Sequence, residues 1–123
     1  MIKKDQKQTS FEKAELYEVI ISLLTAMQKE FLELTKKKPE AVLNKSKIKV
    51  VNRLLNKCRI VLAGEQSLEY LDLIDEDDVP QNSDVALMLS QYVAAMNQFR
   101  STYYGWDGKE YRWFIYEETL PLP

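Results

Sequence analysis

Apolar residues at Leu16, Ile20, Leu24, Met27, Phe31 and Leu34 recur at three- and four-residue intervals, with Tyr17, Ile21 and Leu23 widening the stripe. That period belongs to one face of an amphipathic helix. Thr9 followed by Glu12 fits a capping box, in which each side chain satisfies an otherwise orphaned amide, so a helix is predicted over about 10–37. Lys36, Lys37 and Lys38 suit the negative end of its dipole, and Pro39 stops it. Pro39 also suits the first position of a second helix, predicted over about 39–63 with a hesitation at Asn44 to Ser46. Its stripe is Ile48, Val51, Leu54, Leu55, Cys58, Val61 and Leu62, closed by Gly64 as a left-handed cap. A third helix is predicted over about 66–76 with Leu68, Leu71 and Ile74 inward. Asn82 or Ser83 then caps a fourth over about 83–103, whose stripe runs Val85, Met88, Leu89, Tyr92, Met96, Phe99 and Tyr103.

The tail changes character. Asp107-Gly108 is the dipeptide a type I′ turn favours, and aromatic and β-branched residues flank it. A hairpin is expected over about 103–116, with strands near Tyr103–Trp106 and Lys109–Tyr116. The final T-L-P-L-P suits no ladder and is expected to trail over the surface. The fold class is therefore mainly α: a bundle of about four helices with a small C-terminal β-hairpin. The whole of 1–123 forms one domain, with a disordered start over about 1–8.

With 123 residues, 46% apolar and 29% charged, such a domain buries a core without disulfide or metal. The first ten residues, M-I-K-K-D-Q-K-Q-T-S, form neither a signal nor a transit peptide, and no apolar run reaches the roughly 20 residues of a membrane span. A cytoplasmic protein with no membrane association is expected. Histidine is absent and Cys58 is the sole cysteine, which removes the Ser/His/Asp and Cys/His nucleophile systems and imidazole metal sites. No cofactor motif occurs, and a role other than catalysis is expected. The net charge of −2 conceals an asymmetry: residues 1–62 carry 14 Lys and Arg against 7 Asp and Glu, and residues 63–123 carry 3 against 12. Such a chain either pairs its own faces or shows one to a charged partner.

The acidic part is concentrated in L-I-D-E-D-D-V-P-Q-N-S-D, with five carboxylates and no cation in twelve residues. As a calcium loop starting at Asp75 it places Val79 at the fifth position, Pro80 at the sixth where glycine is needed, and Ala86 at the twelfth where glutamate is needed. A looser divalent-cation site from Asp72, Asp75, Glu76 and Asp78 is the remaining metal option. Two carboxylates on an exposed loop have little to separate their pKa values for acid–base work. The two surviving readings are a solvated connector and a surface that meets a cationic partner. Lys45, Lys47, Lys49, Arg53 and Lys57 form a basic ridge on the second helix, but a pI near 5.3 disfavours nucleic acid. Eight aromatics fall between Phe99 and Tyr116, and Tyr104, Trp106 and Tyr111 near the turn are the best candidates for exposure. Cys58 lies on a buried stripe and reads as core.

The runs D-L-I-D-E-D-D and Y-Y-G-W-D-G-K-E-Y-R-W-F resemble, in composition and layout, the small immunity proteins that protect bacteria from contact-dependent growth inhibition toxins and colicin-type nucleases. The resemblance implies an inhibitor that covers the basic cleft of a protein toxin, a nuclease domain, with acidic and aromatic side chains. Asp72, Asp75, Glu76, Asp77 and Asp78 would then mimic phosphates, with Tyr104, Trp106, Asp107 and Tyr111 anchoring nearby. The alternative is a phage or mobile-element accessory protein that dimerises through the aromatic tail or binds a nucleotide on the basic ridge. Monomer and homodimer both remain open at this stage.

Overall fold

The computed structural model describes residues 5–116. Three α-helices and a two-stranded antiparallel sheet form within them: α1 (Phe11–Lys37), α2 (Lys45–Val61), α3 (Asn82–Tyr103), β1 (Tyr104–Trp106) and β2 (Tyr111–Trp113). The fold is mainly helical with a C-terminal hairpin, and it has one helix fewer than the hydrophobic pattern predicts.

The helix α1 runs antiparallel to both others and packs on each, most extensively on α3, while α2 and α3 make little direct contact. The side chains of Leu24, Leu55, Leu62, Leu89, Met96 and Phe99 are fully enclosed among them. At its start, Ser10 rather than Thr9 is the cap, its hydroxyl accepting from the Lys13 amide at 3.2 Å. Thr9 is committed elsewhere: its N–H donates to the Phe114 carbonyl at 2.9 Å and its carbonyl accepts from the Tyr116 amide at 3.0 Å. A residue whose backbone completes a bridge beside β2 is not free to close a capping box. Of the start expected to be disordered, residues 1–4 lie outside the described residues, and Gln6 donates to the Thr102 carbonyl at 3.1 Å. The T-L-P-L-P tail also lies outside them.

Helix α2 begins at Lys45 and not at Pro39, with Asn44 Oδ1 accepting from the Lys47 amide at 2.9 Å. The reason lies at the other end of α3. The first amides of a helix lack internal partners, and here Asn82 N–H donates to the Ala41 carbonyl at 2.9 Å and Ser83 N–H to the Pro39 carbonyl at 3.1 Å. Residues 39–43 serve as the external cap of α3 and so cannot coil into α2. The Asn82 side chain in turn donates to the Lys38 carbonyl at 2.9 Å, closing the end of α1. Gln81 takes the N-cap position of α3, one residue before the predicted caps, its amide donating to Asp84 Oδ2 at 2.9 Å.

The predicted third helix is absent. Gln66–Tyr70 makes a 3₁₀ turn, 71–75 is extended, and Glu76–Asp78 makes a second 3₁₀ turn. This strap fills the gap between α2 and α3 with Leu71 and Ile74 buried. Its main chain is held by side chains instead of by a ladder. Asn52 of α2 donates to the Ile74 carbonyl at 2.8 Å and accepts from the Ile74 amide at 2.9 Å. Arg59 of α2 donates to the Leu71 carbonyl, and Tyr92 of α3 donates to the Asp72 carbonyl at 2.8 Å. Replacing Asn52 with alanine strands both polar groups of Ile74 in a half-buried setting, with an expected cost of about 1–3 kcal/mol. Urea denaturation should show that loss, and the Ile74 amide should exchange faster; unchanged values for both would contradict this role for Asn52.

Candidate functional site

The strap ends in the acidic turn. Asp75 Oδ1 accepts from the Asp77 amide at 2.9 Å, and the Asp78 amide donates to the Asp75 carbonyl at 3.2 Å. Val79 then adopts a left-handed conformation at φ 52°, which opposes a β-branched side chain and costs about 1–3 kcal/mol. The side chains of Asp72, Asp75, Glu76, Asp77 and Asp78 are all exposed, and none forms an ion pair with a described residue. Among the described residues no three acidic or thiol groups converge on a point that could hold a metal ion.

Of the predicted basic ridge on α2, Lys49, Arg53 and Lys57 run alongside the turn, while Lys47 lines a separate groove against Met27, Glu30 and Phe31 of α1. Lys45, Lys47, Lys49, Arg53 and Lys57 are exposed and likewise form no ion pair with a described residue. An open groove of about 570 Å³ separates the two, with Lys49, Arg53 and Lys57 on one wall and Asp75 and Glu76 on the other. The acidic and basic surfaces are thus neighbours without being joined.

The hairpin pairs Tyr104 with Trp113 and Trp106 with Tyr111, placing all four rings on one face. The inner half is structural. Trp113 packs against Tyr17 at 5.2 Å, Tyr104 at 5.4 Å and Phe99 at 5.8 Å between ring centroids, and its indole N–H donates to Glu18 at 3.0 Å. The outer half is open: Trp106 is 57% and Tyr111 68% exposed, with an edge contact at 5.3 Å. Tyr104 lies between, half-buried beneath the Arg100 guanidinium at 4.1 Å.

Asp107 departs from its expected role. It is 8% exposed, and its Oδ1 accepts from the Lys109 amide at 2.8 Å and the Glu110 amide at 2.9 Å, while Oδ2 lies 3.6 Å from Arg112. Its carboxylate organises a four-residue connection, 107–110, in place of a two-residue type I′ turn. Those amide bonds, from Glu110 first and then Lys109, hold its pKa below the usual carboxylate range. Asp107 is an internal turn residue, with its carboxylate occupied by the turn's own amides.

The expected proximity of acidic and aromatic groups also fails. The acidic turn precedes the N-terminus of α3 and the hairpin follows its C-terminus, and 22 residues of helix at 1.5 Å each separate them by roughly 30 Å. Of the five acidic residues of the strap, Asp72, whose carbonyl meets Tyr92 midway along α3, lies nearest the hairpin by this measure. Sequence reasoning passed over Asn52 and Arg59, which sit beside the apolar stripe of α2 and hold the strap. Their signal was a polar group at the edge of a buried face, with no indication of which segment it served. Cys58 is buried, and loss of hydration pushes its thiol up to about 12, far from a nucleophile's range.

Trp113→Ala should destabilise the fold by about 3–5 kcal/mol, and Trp106→Ala by under about 1 kcal/mol, in chemical denaturation. Equal losses would contradict the division of the hairpin into an anchored and an open half. Because the folded pKa of Asp107 is depressed, its stabilisation is full above about pH 4 and is lost as pH falls through the folded value. Exchange protection of the Glu110 amide should fall along the same course and lose this step in Asp107→Asn; a wild-type step above about pH 5 would contradict the depressed value.

No protein-family model matches this chain, and neither a curated protein nor a solved structure matches it.

Proposed function

We propose that this chain is a binding protein that presents its acidic turn to a cationic protein partner, and that it acts as an immunity protein against a bacterial toxin. The observation that carries the reading is the presentation of Asp72, Asp75, Glu76, Asp77 and Asp78: exposed, unpaired with any described cation, and borne on a strap held by Asn52, Arg59 and Tyr92. A pre-ordered segment loses little conformational freedom on binding, so its charges retain their value in a complex. Four consecutive carboxylates also project a field that accelerates encounter with a basic surface. A nuclease cleft, lined to receive phosphates, is the natural counterpart. The proposed partner is therefore a nuclease-type toxin domain met in the cytoplasm, with the carboxylates standing where phosphate oxygens would.

The hairpin has a different place in this reading than the residue pattern implied. An interface of ordinary size, about 800 Å² on each partner and so roughly 30 Å across, does not reach Trp106 and Tyr111 when it is centred on the acidic turn. Asp72, Asp75, Glu76, Asp77 and Asp78 are proposed as the contact, and the open aromatic pair lies outside it.

The test takes as its probe a nuclease-type toxin domain sought among the genes neighbouring this chain, and finding none there counts against the reading. Co-expression should protect cells from that domain, and the purified pair should associate faster as ionic strength falls. The triple variant Asp75→Lys, Glu76→Lys, Asp78→Lys should fold normally, lose protection, and associate at least about 10-fold more slowly at low salt. Undiminished protection and an unchanged rate would overturn the acidic turn as the contact.

A further inference from the structure

The acidic turn and the basic face of α2 form one patch that is complementary to itself. Lys49, Arg53 and Lys57 are spaced four residues apart, so they line one side of α2 as a row about 12 Å long. Asp75 and Glu76 line the groove across from this row, toward its Lys49 end, and Asp77 and Asp78 follow them in the acidic turn. Ile74 and the half-exposed Ile60 line the groove together with Asn52 and Asn56. No ion pair crosses it among the described residues.

We propose that this patch binds a second copy of the chain as a two-fold symmetric dimer. An isologous interface requires that whatever surface one protomer offers, the same surface on the other must complement. A patch of one sign fails that test by repulsion. Here a two-fold axis passing between the two clusters lays each copy's basic row over the other copy's acidic turn, giving two equivalent sets of opposite charges. Charge complementarity favours a second copy because it engages both walls of the groove at once, whereas a cationic partner engages the acidic turn alone. A partner that engages only the acidic turn competes with this dimer, since both use the same carboxylates. The inference stands without the toxin reading and is tested without a toxin.

Sedimentation velocity on the full chain should show a concentration-dependent dimer that dissociates at high ionic strength. The variant Lys49→Glu, Arg53→Glu, Lys57→Glu and the variant Asp75→Lys, Glu76→Lys, Asp78→Lys should each be monomeric, with dimer affinity lowered at least about 100-fold. An equimolar mixture of the two should form a 1:1 heterodimer, because the reversed rows complement each other across both contacts. Circular dichroism confirms that each variant is folded, as exposed substitutions should leave it. A wild type that stays monomeric at low salt, a dimer indifferent to both variants, or a mixture that fails to associate would each overturn the proposal. A dimer abolished by Trp106→Ala and untouched by the charge reversals would place the interface at the hairpin and overturn it equally.

Discussion

A buried peptide group must find a hydrogen-bond partner, and the strap of residues 71–75 meets that demand without belonging to a helix or a sheet. Its carbonyls and the Ile74 amide are received by Asn52, Arg59 and Tyr92, drawn from two helices that scarcely touch. Arg59 Nη1 also lies 3.5 Å from the Tyr92 hydroxyl, so the two outer contacts are linked to each other. Burial raises the pKa of that tyrosine, and the neighbouring Arg59 works against the rise. These bonds fix where the acidic turn begins, and they let Leu71 and Ile74 close the gap between α2 and α3. The surface chemistry depends on interior hydrogen bonds one layer beneath it.

A similar economy operates at the opposite face of the strap's end. The connector 39–43 caps α3, the Asn82 side chain closes α1, and Val42 pairs with Gln81. Two helix termini, the end of α1 and the start of α3, are thereby satisfied at one crossing. The turn and bridge at 39–43 cost the second helix its first turn and a half, and they supply partners for the first amides of α3.

How much of this was legible follows from which partner decides each feature. The stripes through Leu24, Leu55 and Leu89 are local patterns, and all three residues are buried. The spacing of Leu68, Leu71 and Ile74 also suits a helix, but the outcome was settled by Asn52 and Arg59, which lie 22 and 12 residues away from their contacts. Tertiary hydrogen bonds overrode a weak local preference. Asp107-Gly108 located the turn correctly, while the carboxylate's reach to two successive amides lengthened the loop. The exposure of the acidic residues was readable from composition alone. Their distance from the aromatic residues was also implicit in the predicted span 83–103, since a helix of that length holds its ends far apart.

The bridge between Thr9 and Ile115 joins segments separated by almost the entire described chain. Pairing α1 with α2 closes only a short loop, whereas this bridge closes one of roughly a hundred residues, with a correspondingly larger entropic cost. It is also parallel, and it rests against a hairpin of three-residue strands that has little stability alone. The bridge therefore acts as a clasp: opening it releases the Phe114 carbonyl and the Tyr116 amide together with the residue before the cap of α1, so the two distant segments gain or lose their order together.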